Sequence, residues 1–202
     1  MATTFTTELE AVNVMLSAVG TAPVNSITGS VGADVSMATN ILTEVRREVL
    51  SRGWAFNYEQ KVELTPDGSN IVTLAENVLR IDAHPGYHTN LDIVQRGTSL
   101  YDRKNHTTTF TDSKLTVDIM YHLEWTALPE AARRYMMIRA ARIFADRLVG
   151  YNHQHAFSMA DEIQALGDLK ETEGDTGDFN MRDHWDVTRI INRGSPLNLT
   201  SF

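Results

Sequence analysis

The sequence contains no cysteine, which excludes disulfide staples, thiolate metal sites and cysteine nucleophiles together. It has no apolar run near the roughly 20 residues that a membrane-spanning helix requires, so no membrane partner is expected. Its first twenty residues carry Glu8 and Glu10 and no basic stretch, unlike a secretory signal peptide. Positive charge is the scarcer sign, with 18 Lys and Arg against 26 Asp and Glu and a net charge of -8. That balance opposes a surface built to neutralise phosphates, while a negative wall lets nucleic acid pass without sticking. Ser-centred elbows, Walker loops, dinucleotide fingerprints and zincin motifs are all missing, and no cofactor is expected.

What is present is an ordinary globular composition, 42% hydrophobic and 22% charged over 202 residues, enough for one core with a sub-domain. Thr7-Glu8-Leu9-Glu10 spells a capping box, and Leu9, Val12, Leu16 and Val19 follow at spacings of three and four, predicting a helix over 7–19. Gly20 and Pro23 stop it. Asp34 is the expected N-cap of a second helix, about 35–52, with Val35, Ala38, Leu42, Val45 and Val49 on one face and Arg52-Gly53 at its end.

From Trp54 the period shortens to two, through Phe56, Tyr58, Val62 and Leu64, which predicts strands. Residues 66–70 (PDGSN) form a turn, and Ile71 to Leu74 pairs back as a hairpin. Further short runs at 78–81, 91–95, 99–102, 107–110 and 115–123 suggest a small antiparallel sandwich or barrel. In the last of these, Leu115, Val117, Ile119 and Tyr121 alternate with Thr116, Asp118 and His122, predicting one wet face.

The period returns to 3.6 after Leu128-Pro129-Glu130, giving a third helix over 130–149 with Met137, Ala141, Phe144 and Leu148 aligned. A fourth, to about 172, carries Ala156, Met159, Ile163, Leu166 and Leu169 on one face. The fold class is therefore α+β: a four-helix bundle from 1–53 and 128–173, a β-rich insertion over 54–127, and an extended C-terminal arm over 174–202.

Few residues are placed for chemistry. His153 and His155, with His184, lack the spacing of a metal site and read as solvated loop histidines, and the residues 84–88 (HPGYH) read as a turn. Asp82, Asp92, Asp112 and Asp118 are the carboxylates a polysaccharide- or cell-wall-degrading hydrolase would use, against the alternative of solvated faces and turn caps. Arg133, Arg134, Arg139, Arg142 and Arg147 crowd one helix, either paired with carboxylates of the fourth helix or forming a contact between subunits. Phe179, Trp185 and Phe202 are large apolar groups in an arm with no core of its own, and are read as docking onto another chain.

Three stretches resemble a known family: Glu8-Leu9-Glu10-Ala11-Val12-Asn13 with residues 16–23 (LSAVGTAP), Ser51-Arg52-Gly53-Trp54-Ala55-Phe56-Asn57, and Leu128-Pro129-Glu130 through Phe144 to Gly150. They are similar to the tail tubular protein A subunits of short-tailed, T7-like bacteriophages, the adaptor or gatekeeper ring. Gly177 to Met181 resembles the family's C-terminal pattern. The resemblance implies a virion protein assembled in the host cytoplasm: a ring of twelve copies joined to the portal protein above and to the nozzle, tail tubular protein B, below. Tail fibres attach near the lower junction, and genome DNA passes through the channel unbound. Arg133, Arg139, Arg142, Arg147, Phe179, Asn180, Met181, Trp185 and Phe202 are the residues assigned to portal and subunit contacts.

Overall fold

The computed structural model describes residues 5–29, 31–85, 87, 91–148, 150 and 159–176. Four helices, α1 (Glu8–Ala18), α2 (Ala33–Leu50), α3 (Glu130–Leu148) and α4 (Met159–Thr176), flank five strands, β1 (Tyr58–Leu64), β2 (Val78–Ala83), β3 (Ile93–Arg96), β4 (Ser99–Asp102) and β5 (Leu115–Tyr121). The fold is α+β, with its antiparallel strands inserted between α2 and α3. The arm lies outside the described residues except for 174–176, which continue α4 instead of leaving it.

The capping box forms as spelled: Thr7 Oγ1 accepts from the Glu10 amide at 3.1 Å and the Thr7 amide donates to Glu10 at 2.7 Å. Asn13 then exchanges two hydrogen bonds with the Val24 backbone, at 2.9 and 2.8 Å, which fastens the loop back on α1. Asp34 does not cap α2. The helix begins one residue before it, Gly32 occupies the N-cap with no side-chain bond, and Asp34 sits in the first turn, where its charge meets the positive dipole end.

α3 is the central helix, with α1, α2 and α4 all packed against it. Ala132, Tyr135, Met136, Ile138, Ala140, Ala141, Phe144 and Ala145 are buried around most of its circumference, so one apolar stripe understates it. α4 departs from its predicted face. Its buried side is Glu162, Ala165, Leu169 and Glu173, while Met159 and Ile163 point to solvent at 70% and 61% exposure.

The strands form a three-stranded sheet in the order β1-β5-β2 and a β3-β4 hairpin. The predicted hairpin between β1 and Ile71 to Leu74 does not form, because β1 pairs with β5 in the register Tyr58↔Met120 to Leu64↔Leu115. The turn itself is as expected, with Asn70 at φ +62 and the Asp67 side chain accepting the Ser69 and Ile71 amides. Residues 71–74 instead meet Ser99 and Thr109 through single bridges. Nor does a strand start at Trp54, since residues 55–57 make one 3-10 turn.

Two buried clusters result. One is helical, with Trp125 and Leu128; the other comprises Val72, Leu74, Val78, Ile81, Ile93, Leu100, Phe110, Leu115, Val117 and Ile119. They share no residue, and the chain crosses between them twice, at 51–57 and 122–128.

Gly53, on the first crossing, has φ +75, and a Cβ there would lie 2.5 Å from Met120 Cε. Gly53→Ala therefore combines left-handed strain with a clash and is expected to destabilise the protein by about 1–3 kcal/mol in urea unfolding. Gly29→Ala, with φ +85 but open space around it, isolates the strain contribution and is expected to cost less.

Candidate functional site

The Ser51 to Asn57 stretch is where the two cores are joined. Asn57 is 1% exposed and its amide is fully used. Nδ2 donates to Leu50 O at the end of α2 (2.9 Å) and to Tyr121 O at the end of β5 (2.8 Å), while Oδ1 accepts the Trp54 amide at 2.7 Å. Trp54 donates its indole N–H to Val49 O at 2.8 Å and stacks on Phe56, with ring centroids 6.3 Å apart. The third link is Glu173 near the end of α4, whose buried carboxylate accepts the Ala55 amide at 2.5 Å. One short string thus touches α2, α4 and β5. The second crossing is tied in parallel, through Arg46 to Glu124 at 3.4 Å and the His122 amide to Asn77 O at 2.7 Å.

The arginines of α3 divide by burial. Arg133 is buried and donates to three backbone carbonyls, Leu128 O at 2.9 Å, Thr6 O at 3.0 Å and Thr126 O at 2.9 Å, with its guanidinium 4.9 Å from the Phe5 ring centroid. It holds the segment before α1 against the second crossing, where Trp125 also donates to Thr6 O. Arg139 bridges Glu48 of α2, at 2.7 Å, and Glu162 of α4; Arg142 reaches Glu162 at 2.6 Å and Asp146 at 3.1 Å. Arg147 forms a two-point pair with Glu44 at 2.9 and 3.0 Å on the surface. Arg139, Arg142 and Arg147 therefore all have carboxylate partners within the chain. Phe179, Asn180, Met181, Trp185 and Phe202 lie outside the described residues.

Burial works against the charge of Glu162, but the guanidiniums of Arg142 and Arg139 outweigh it and hold its pKa below the usual carboxylate value. Burial likewise opposes the Arg139 charge, and the carboxylates of Glu48 and Glu162 overcome it to raise its pKa.

The carboxylates of the β part are dispersed. Asp92 faces Arg103 at 3.6 Å, Asp112 is exposed, and Asp82 lies 3.6 Å from Arg80. Asp118 is opposite Asp82 in the β2–β5 register, but it is buried, accepting His84 Nδ1 at 2.8 Å and the Lys61 amide at 3.0 Å. The wet face predicted for β5 with Thr116, Asp118 and His122 does not form, because Asp118 and Met120 are buried there; these two line a cleft of about 410 Å³ with Tyr58, Arg80 and Asp82 of the sheet and with Arg52 and Gly53. Burial, and then the Asp118 charge, push the Tyr58 phenol up, so it remains a donor. His84 was legible only as a turn residue; its pairing across the sheet has no local signal. No observation on these four carboxylates supports hydrolysis. Among the described residues no group of His, Asp and Glu is arranged for a metal ion, and His153, His155 and His184 fall outside them.

The polar side chains that this fold gathers fasten one element to another. A family model described as tail tubular protein matches residues 9–179, through both crossings and the whole insertion. The chain belongs to that family, and it is a structural component of a phage tail. Among curated proteins none matches it. No helix among the described residues is long and apolar enough to cross a membrane.

The Glu162 cluster carries a pH signature. With the folded-state pKa below the ordinary glutamate value of 4.5, its stabilisation is full above that pH and is lost as pH falls through the folded pKa. Glu162→Gln is expected to lower the urea midpoint at pH 7. The gap to the unsubstituted chain should narrow steadily below about pH 4.5, as the ion pair is lost from the latter. A gap that stays constant from about pH 7 to about pH 3.5 would show that Glu162 holds α4 by packing alone.

Proposed function

We propose that the chain is the subunit of the adaptor ring that joins the portal protein to the tubular nozzle and encloses the channel through which the genome is ejected. The observation that carries this reading is the family match over residues 9–179, which takes in the helical part and the insertion as one unit. Residues 1–53 and 128–173 act as the ring-forming bundle, 54–127 as the part that meets lower tail components, and 174–202 as the arm that grips the portal. The ring has twelve copies, tail fibres attach near its lower rim, and assembly takes place in the host cytoplasm.

The chemistry of the chain supports a role by assembly. Arg133, Arg139 and Arg142 are hydrogen-bonded or ion-paired inside the subunit, and the chain as a whole carries a net charge of -8. An acidic channel wall repels phosphates and gives DNA no foothold. Among the assigned contact residues, Arg147 is half exposed and is the arginine most available to a neighbour. The arm's Phe179, Met181, Trp185 and Phe202 supply the apolar anchors and Asn180 a polar contact.

The test is reconstitution with the portal protein, using the full chain and a chain ending at Thr176, which keeps α4 intact. The full chain is expected to bind as a multimeric ring, and the shortened chain to lose at least tenfold in portal affinity. Equal binding by both would remove the arm from the portal contact. A subunit that is monomeric in isolation agrees with the reading, because contacts formed on a template need not hold alone.

A further inference from the structure

Past Leu169, α4 has no apolar residue with which to pack. Leu169 is buried, and in the stretch that follows Lys170, Glu171, Thr172, Gly174 and Asp175 are exposed while Glu173 turns inward. Local preference works against a helix here. The stretch holds two threonines and Gly174, a poor helix former with nothing within 4 Å of where a Cβ would stand. Glu171, Glu173 and Asp175 lie toward the negative end of the helix dipole, and the last turn contains no base, Lys170 coming before it. The stretch is tied to the first crossing through Glu173, which accepts the Ala55 amide at 2.5 Å.

A helix end without apolar packing opens at low cost. We propose that residues 170–176 are a releasable root of the arm: they unwind as the arm engages the portal, withdrawing Glu173 from Ala55 and freeing α4 from the first crossing. Each residue then spans about 3.3 Å in place of about 1.5 Å, which gives the arm about 12 Å more reach. Asn57 still holds β5 to the end of α2, so the insertion stays attached while it loses its tie to α4. Opening of the helix end and uncovering of the Ala55 amide are one equilibrium, and a change at either place is felt at the other. The trigger rests on the arm reading above; the latch belongs to the free subunit.

Hydrogen exchange of the free, full chain reads the latch from both sides. Gly174→Ala with Asp175→Lys strengthens the helix end at exposed positions away from the crossing, and is expected to raise the protection of the Ala55 amide about fivefold. Ala55→Pro removes the donor without touching α4, at the first residue of a 3-10 turn that follows an extended Trp54, where proline is accommodated. It is expected to lower protection over residues 172–175. A helix end that tightens while Ala55 exchanges as before, or an unchanged helix end in Ala55→Pro, would overturn the latch. On the portal protein, the strengthened root is expected to weaken binding by a similar factor of about five, and Ala55→Pro to tighten it. Equal affinity of all three chains would overturn unwinding as the step that docking requires. A native chain that does not bind the portal would instead overturn the arm reading and the trigger with it, and the exchange results would still decide the latch.

Discussion

The placement of the whole β part depends on one buried amide. Asn57 stands where the chain leaves the helical core for the strands, and it satisfies a carbonyl at the end of α2, a carbonyl at the end of β5 and the Trp54 amide together. A helix end and a strand end each leave backbone groups without regular partners, and burying them unpaired costs roughly 1–3 kcal/mol apiece. Asparagine is suited because it offers two donors and an acceptor on one short, uncharged group. Aspartate would present oxygens to two carbonyls, and leucine would leave all three groups unpaired. With that amide fixed, Trp54 is brought over the end of α2, and the Ala55 amide is presented to Glu173 of α4. The two cores have no residue in common, yet their relative orientation is tied by these bonds.

A second constraint decides how α4 lies. Two forces compete for its rotation: burial of the apolar line containing Met159 and Ile163, and pairing of Glu162 with Arg139 and Arg142. Fully burying each aliphatic side chain is worth about 1.5–3 kcal/mol. Turning Glu162 away would leave Arg139 with Glu48 alone and Arg142 with Asp146 alone, a loss of comparable size for guanidiniums this far out of water. The pairing prevails, with Glu162 turned in to bridge both arginines and Met159 and Ile163 left out. Glu173, three turns along, anchors the same face to the junction. The helix accordingly turns Glu162 and Glu173 inward beside Ala165 and Leu169, and leaves Met159 and Ile163 outward.

This division explains how far the sequence could be read. α1 was legible to its cap, because Thr7 and Glu10 act within one turn and Asn13 only restrains the loop beyond the helix. α2 and α3 were legible from their periods, although α3 is buried on most sides and its single predicted stripe was too narrow. The strands were legible as short extended runs but not in their pairing: proximity suggested β1 with residues 71–74, whereas β1 pairs with β5, far along the chain. The same limit hid the sites. His84 and Asp118, Asn57 and Tyr121, and Arg139 and Glu48 each join residues far apart in sequence, and no local pattern marks such pairs. The arginine run on α3 was legible as unusual. Which of its members turn inward depends on where α2 and α4 come to rest.

The inward arginines also change what the net charge means. A chain with 18 basic and 26 acidic residues would carry a mildly acidic surface if both signs were equally exposed. Here Arg133 is buried among carbonyls, so it neutralises no carboxylate, and its charge is screened from solvent by the protein around it. Arg139 and Arg142 share Glu162 and hold it largely out of water, and each has a second acid, Glu48 and Asp146 respectively. Buried carboxylates are nonetheless more numerous, with Asp102, Asp118, Glu162 and Glu173 beside the one buried arginine among the described residues, so burial draws acid as well as base away from the surface. The interactions that stiffen the bundle thus also set what its outside carries, and stability and surface charge are coupled where Arg139 and Arg142 meet Glu162.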